Sequence, residues 1–140
     1  MLYSVMRRLM ITIVFGVGAV APSAAAADSL VGFASPSRNI GCYMDSTQVR
    51  CDIRNRSWRP PKRPGWCPLD YGQGLMVSDR GRGRYVCAGD TALDHQPVVG
   101  YRRSISRGPF RCTSLTSGMR CVNLRTRHGF TLSRGKADLF

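Results

Sequence analysis

Two cysteines with eight residues between them occur twice in this chain, at Cys42 and Cys51 and again at Cys112 and Cys121. That frame narrows the possible folds more than any other feature. Read the first copy as a hairpin turning at Ser46-Thr47, and residues oppose each other as 45 with 48, 44 with 49, 43 with 50 and 42 with 51. The pair beside a two-residue turn is hydrogen-bonded and the pairs alternate outward, so the cysteines fall at a non-hydrogen-bonded site with α-carbons about 4.5 Å apart. A disulfide fits there, near the short end of its range. Alternation puts Ile40, Cys42, Met44, Val49, Cys51 and Ile53 on one, apolar face. Tyr43, Asp45, Gln48, Arg50 and Asp52 share the other, polar face.

The second frame, turning at Thr116-Ser117, repeats the geometry with Phe110 and Met119 beside its cysteines, though Ser114 and Asn123 interrupt the apolar face. Only the cysteines and Arg50/Arg120 are identical between the frames, a hint of internal duplication. Cys67 and Cys87 remain. Six cysteines permit 15 connectivities, among which hairpin geometry favours 42–51, 67–87 and 112–121. Chain-entropy arguments put each such bond at about 3 kcal/mol as an upper figure.

Paired cysteines belong to an oxidising compartment, and the N-terminus agrees. Arg7 and Arg8 precede an apolar run, Leu9 to Val20; Pro22 breaks it, and Ala24 to Ala27 offer small-residue cleavage sites. Residues 1–27 are therefore read as a signal peptide, with an uncleaved anchor as the alternative. Residues 28–140 form a single secreted β domain.

That domain contains no glutamate, since all eight acids are aspartate, and it is rich in Gly, Pro, Ser and Thr. Short β-branched runs alternate with turn signals about every ten residues, a pattern that predicts an all-β, disulfide-stapled antiparallel barrel or sandwich built from hairpins, with room for one helical turn. Beyond the two frames, strands are expected at Leu30 to Ala34, Leu75 to Ser78, Arg84 to Ala88, Val98 to Arg102 and Gly129 to Leu132. Asp70-Tyr-Gly-Gln-Gly74 and the Gly-Asp step at 89–90 read as turn chemistry. Arg59 to Pro68 reads as an extended proline-rich connector tied down by Cys67.

Charge is the second strong signal. The formal net charge is +13, and removal of Arg7 and Arg8 leaves +11 on the domain. All but two of the 21 basic residues are arginine. Such a surface is drawn to anionic polymer or lipid. A compositional preference for arginine over lysine is the competing account, but it does not explain the shortage of acids. The best candidate for an anionic-ligand surface is Arg50, Arg54, Arg56, Trp58, Lys62 and Arg63, where cations and aromatics mix. Arg80, Arg82 and Arg84 also alternate onto one side.

Catalytic signals are sparse. With every cysteine paired no thiolate remains, and neither nucleophile-elbow, phosphate-loop nor zinc-type spacing occurs. His95 and His128 stand apart in sequence; paired with Asp90 or Asp94 they would make a general base or a weak metal site. The leading expectation is a non-catalytic, secreted or envelope-associated binding domain for an anionic cell-envelope polymer or lipid, without a cofactor or metal and without specific nucleic-acid recognition. The alternatives are a protein–protein module or inhibitor, and a small hydrolase using His128 with an aspartate.

Five runs carry a family resemblance: Ser35 to Cys42, Val49 to Ile53, Leu69 to Leu75, Val86 to Thr91, and His128 to Arg134. Together they resemble an uncharacterised family of small secreted actinobacterial proteins, mycobacterial ones included. The resemblance implies export and supplies no catalytic residue. Such sequences tend to carry glycine where this chain has Arg127, so a left-handed backbone there would test the local turn.

Overall fold

A computed structural model describes Ile13, Gly16, residues 18–21 and residues 29–140. The segment expected to be a signal peptide thus lies mostly outside the described residues. Among the described residues no helix is long and apolar enough to cross a membrane.

The chain forms ten strands in two open antiparallel sheets, so of the two expected architectures it is a sandwich. Strands β1 (Val31–Ala34), β2 (Ile40–Met44), β3 (Gln48–Ile53), β4 (Tyr71–Ser78) and β5 (Arg84–Cys87) follow one another across the first sheet. Strands β6 (Ser104–Arg107), β7 (Phe110–Leu115), β8 (Gly118–Asn123), β9 (Gly129–Leu132) and β10 (Ala137–Leu139) do the same in the second. No helical turn forms among the described residues.

Both frames fold as hairpins in the expected register, with Cys42 opposite Cys51 and Cys112 opposite Cys121. The disulfides are 42–51, 67–87 and 112–121. The cysteine α-carbons of each hairpin lie 4.1 Å apart, as a non-hydrogen-bonded pair requires. Asp45 closes the first turn, its carboxylate accepting from the backbone N–H groups of Thr47 and Gln48.

The two halves match further than the frames. In each, strands two and three carry the disulfide, and strand four pairs with strand three through a Gly-apolar step. Asp52 opposes Gly74 and Cys51 opposes Leu75; Val122 opposes Gly129 and Cys121 opposes Phe130. Both glycines are required by close approach, because a Cβ would sit 2.1 Å from the carbonyl oxygen of Cys51 or Cys121. The inner faces meet in one core containing Phe33, Met44, Val49, Leu75, Phe110, Met119, Phe130 and both hairpin disulfides. At its centre the sulfurs of Cys51 and Cys121 lie 3.8 Å apart. The domain is two five-strand meanders of matching order packed face to face.

Four expectations need correction. Val98 to Arg102 is not a strand: Val98 makes a single parallel bridge to Ala34, and the chain turns at Gly100–Arg103 with Arg102 at φ 65°. Edge strands β6 and β10 were not anticipated, since both are short and poor in apolar alternation. Strand β4 starts at Tyr71, inside the run read as a turn, because a register irregularity between Tyr71 and Leu75 absorbs Gly72 at φ 84°. Finally, the polar face of β2 and β3 is not solvated throughout. The connection from β5 to β6 crosses it and buries Asp52 completely.

Candidate functional site

The fold divides the arginine cluster expected between residues 50 and 63: Arg50 and Arg56 stay together around Asp90 and Gln73, and the other basic residues lie apart from them. Arg50 lies beneath the β5–β6 connection as a structural clasp. Its Nε and Nη2 donate to the Asp52 carboxylate at 3.0 and 2.6 Å, and its Nη1 donates to Asp90 Oδ1 at 2.7 Å. Asp52 also accepts from the Ala92 N–H at 2.9 Å, while Gln73 donates to the Asp90 carbonyl. The Arg50 guanidinium, through its hydrogen bond and charge, holds the Asp90 carboxyl below its ordinary range. Two carboxylates thus neutralise Arg50. Nearby, the Tyr43 hydroxyl donates to Asp94 and accepts from Gln96. The hydrogen bond to Asp94, with burial added, raises the Tyr43 phenol above its usual value.

Arg56 stacks over Trp58 at 4.6 Å. Trp58 is half-buried, and its indole N–H donates to the Ser133 carbonyl at 2.8 Å. Lys62 and Arg63 lie exposed on the proline-rich connector, Arg63 reaching the Leu69 carbonyl.

Arg54 goes elsewhere, into a cleft of about 480 Å³ at one end of the sandwich. The β1–β2 turn and the exit of β3 supply one wall with Ser37, Arg38, Asn39 and Arg54; the β7–β8 and β9–β10 turns supply the other with Thr116, Ser133 and Arg134. Three arginines therefore line one cleft with hydroxyl and amide groups, Arg38 also donating through Nη1 to the Gln96 carbonyl at 3.2 Å outside that lining. The lining contains no carboxylate, and none of the three arginines forms an ion pair among the described residues. The walls are braced: Asn39 Nδ2 donates to the Asn55 carbonyl, the Asn55 N–H donates to Asn39 Oδ1, and the Ser57 N–H donates to the Arg134 carbonyl. Arg38 holds a left-handed backbone at φ 57°, a strained setting for a residue other than glycine.

Sequence reasoning found Arg54 but not Arg38 or Arg134, whose partners come from strands far apart in the chain. A signal was present. Two of the resemblance runs, Ser35 to Cys42 and His128 to Arg134, meet at this cleft, while Val49 to Ile53, Leu69 to Leu75 and Val86 to Thr91 build the Arg50 clasp.

The histidines are not brought together. His95 is exposed on the β5–β6 connection, and His128 follows the β8–β9 turn; neither has an aspartate within ion-pair distance among the described residues. No cluster of three metal-ligating side chains occurs among them either. Arg127 adopts φ 68°, so its position is indeed left-handed, yet the turn persists: Arg127 N–H donates to the Asn123 carbonyl, and Asn123 Oδ1 accepts from Arg125 and Thr126.

Comparison with curated proteins and with solved structures returns no match. The chain belongs to a family of unknown function, DUF6636, which matches it over residues 11–140.

Proposed function

We propose that this is an exported, non-catalytic binding domain of the actinobacterial kind its motifs resemble, and that its end cleft takes an anionic group of an envelope polymer or lipid. The carrying observation is the convergence of Arg38, Arg54 and Arg134 on one cleft without a carboxylate. Guanidinium groups match phosphate and carboxylate through paired N–H donors, and hydroxyl and amide neighbours add hydrogen bonds without charge. Three disulfides accord with an oxidising, extracellular setting. Pinning the core with two of them leaves the turns at the sandwich end free to serve recognition rather than stability.

The test is co-sedimentation of the oxidised domain with a cell-envelope fraction and with phosphatidylglycerol vesicles, at low and high salt. Retention should fall steeply as salt rises, and Arg38→Ala/Arg54→Ala/Arg134→Ala should lose it. Salt-insensitive retention, or a triple variant that sediments like the parent, would reject the cleft. A salt-insensitive result would favour the protein–protein alternative. No observation on this structure favours the hydrolase reading.

A further inference from the structure

Four aromatic rings form a continuous strip leading away from the arginine cleft. Trp58 approaches Tyr85 at 6.2 Å between ring centroids, Tyr85 approaches Tyr71 at 6.0 Å, and Tyr71 meets Trp66 edge-on at 6.2 Å. The Trp58 end touches the cleft directly, through its hydrogen bond to the Ser133 carbonyl, and Ser133 lines that cleft. At the other end Trp66 is 67% exposed. Burial does not explain an indole left so open.

The backbone on both sides of Trp66 is also anchored, and the Trp66 ring meets Tyr71 edge-on. Its neighbour Cys67 is bonded to Cys87 on β5, and earlier in the connector Pro60 packs where Gly72 has no Cβ, at a site a Cβ would approach to 2.2 Å. The connector is thus fastened to the first sheet on both sides of Lys62 and Arg63. Between Trp66 and Tyr85 opens a cavity of about 520 Å³ with Arg84 and Met76 on its wall. Arg84 forms no ion pair among the described residues. An open aromatic face beside a guanidinium without an ion pair among the described residues receives an apolar ring face on one side and an anionic substituent on the other.

We infer that the open Trp66 end of this aromatic strip, beside Arg84, is a sugar-stacking subsite, and that the ligand is a linear acidic polysaccharide; Trp58, covered by Arg56, and Tyr85 are packed against the core and serve to support that end. The naming of the polymer rests on the cleft reading above; the strip itself does not. Ring planes along the strip turn by 55°, 47° and 89°. These are tilted and edge-on contacts that pack the rings against one another and leave the Trp66 face open to a ligand. Single-stranded nucleic acid is held by several stacking rings along a basic groove, and of the four rings here only Trp66 is open. A bilayer would engage a surface rather than a track that ends in a cleft.

Binding is measured by calorimetry on the whole disulfide-intact domain with four probe types: acidic polysaccharides (alginate, polygalacturonate, hyaluronan), linear polyphosphate, a dT homopolymer and phosphatidylglycerol vesicles. At least one polysaccharide should bind more tightly than polyphosphate. Trp66→Ala should weaken that binding about tenfold, the loss of one good stacking contact, and leave polyphosphate within about twofold. Trp66→Phe should restore most of the loss, which a merely structural role for Trp66 would not predict. Polyphosphate binding at full strength with no Trp66-dependent polysaccharide binding overturns the strip and leaves the cleft standing. Trp66-dependent polysaccharide binding that survives the triple arginine variant keeps the strip and rejects the cleft. Tighter Trp66-dependent binding to the dT homopolymer or to vesicles overturns the glycan, and no binding to any probe overturns both readings.

Discussion

Replacing Asp52 with alanine tests whether the β5–β6 connection is held by electrostatics or merely drapes over the sheet. Its side chain has no exposed surface, accepts two hydrogen bonds from Arg50 and satisfies the Ala92 N–H. Breaking a buried pair by removing one partner costs about 3–5 kcal/mol. Here Arg50 is 17% exposed and keeps Asp90, which moves the pair's share well below that range. The orphaned Ala92 N–H adds about 1–3 kcal/mol. Together these give a loss of about 3 kcal/mol, a large part of the roughly 5–15 kcal/mol of a typical domain. Asp90→Ala should cost under about 1 kcal/mol, since that side chain is 82% exposed. Urea unfolding under non-reducing conditions measures both, and limited proteolysis should cut Asp52→Ala within residues 88–96. An Asp52→Ala loss no larger than that of Asp90→Ala, with the connection still protected, would refute the clasp.

Other expectations are simpler. Arg127→Gly should stabilise by about 0.5–1 kcal/mol, because relief of the left-handed strain at φ 68° outweighs the unfolded-state entropy of glycine; a lower urea midpoint would show that the Arg127 side chain makes up for its backbone. Ser114→Ala should be neutral or stabilising by up to about 1 kcal/mol, since the buried Ser114 hydroxyl has no hydrogen-bond partner among the described residues, and thermal unfolding would detect the opposite. The connection over the first sheet should loosen slightly at both pH extremes, Asp52 continuing to hold it. Asp90 has a depressed folded value, so its contribution is present above the ordinary carboxylate range and is lost as pH falls through the depressed value. Tyr43 has a raised folded value, so its contribution is complete below the normal phenol value of about 10 and is lost as pH rises through the raised one. Protection factors of the Ala92 and Leu93 amides, taken relative to intrinsic exchange at each pH, would reveal the window, and protection independent of pH would contradict it.

Much of the fold was legible in the chain because its strongest constraints are local. An eight-residue spacer with alternating apolar residues admits one hairpin register, and that register places both cysteine pairs for bonding. The same locality explains the errors. Strands β6 and β10 are edge elements whose pairing comes from neighbours already in place, and Val98 to Arg102 has strand-like residues but no second strand to receive them. Asp52 looked like a solvent-facing residue because nothing nearby in sequence says that residues 88–96 will lie on top of it.

The candidate site divides along the same line. Composition alone established an excess of arginine over acid, and the cysteine frames alone established an oxidised, stapled β domain. Which arginines are available was decided by tertiary structure, because availability depends on where carboxylates end up. Arg50 meets Asp52 two residues away and Asp90 forty residues away, and is neutralised. Arg54 is carried by the exit of β3 to a cleft where Arg38 and Arg134 arrive from other turns with no acid near them. Trp58 and Trp66 were visible as residues, but only the Cys67–Cys87 bond and the pairing of β4 with β5 line them up with Tyr71 and Tyr85. Spacing along a strand is set by bond geometry and can be read from sequence, whereas charge pairing and ring alignment depend on distances the chain closes only when it folds.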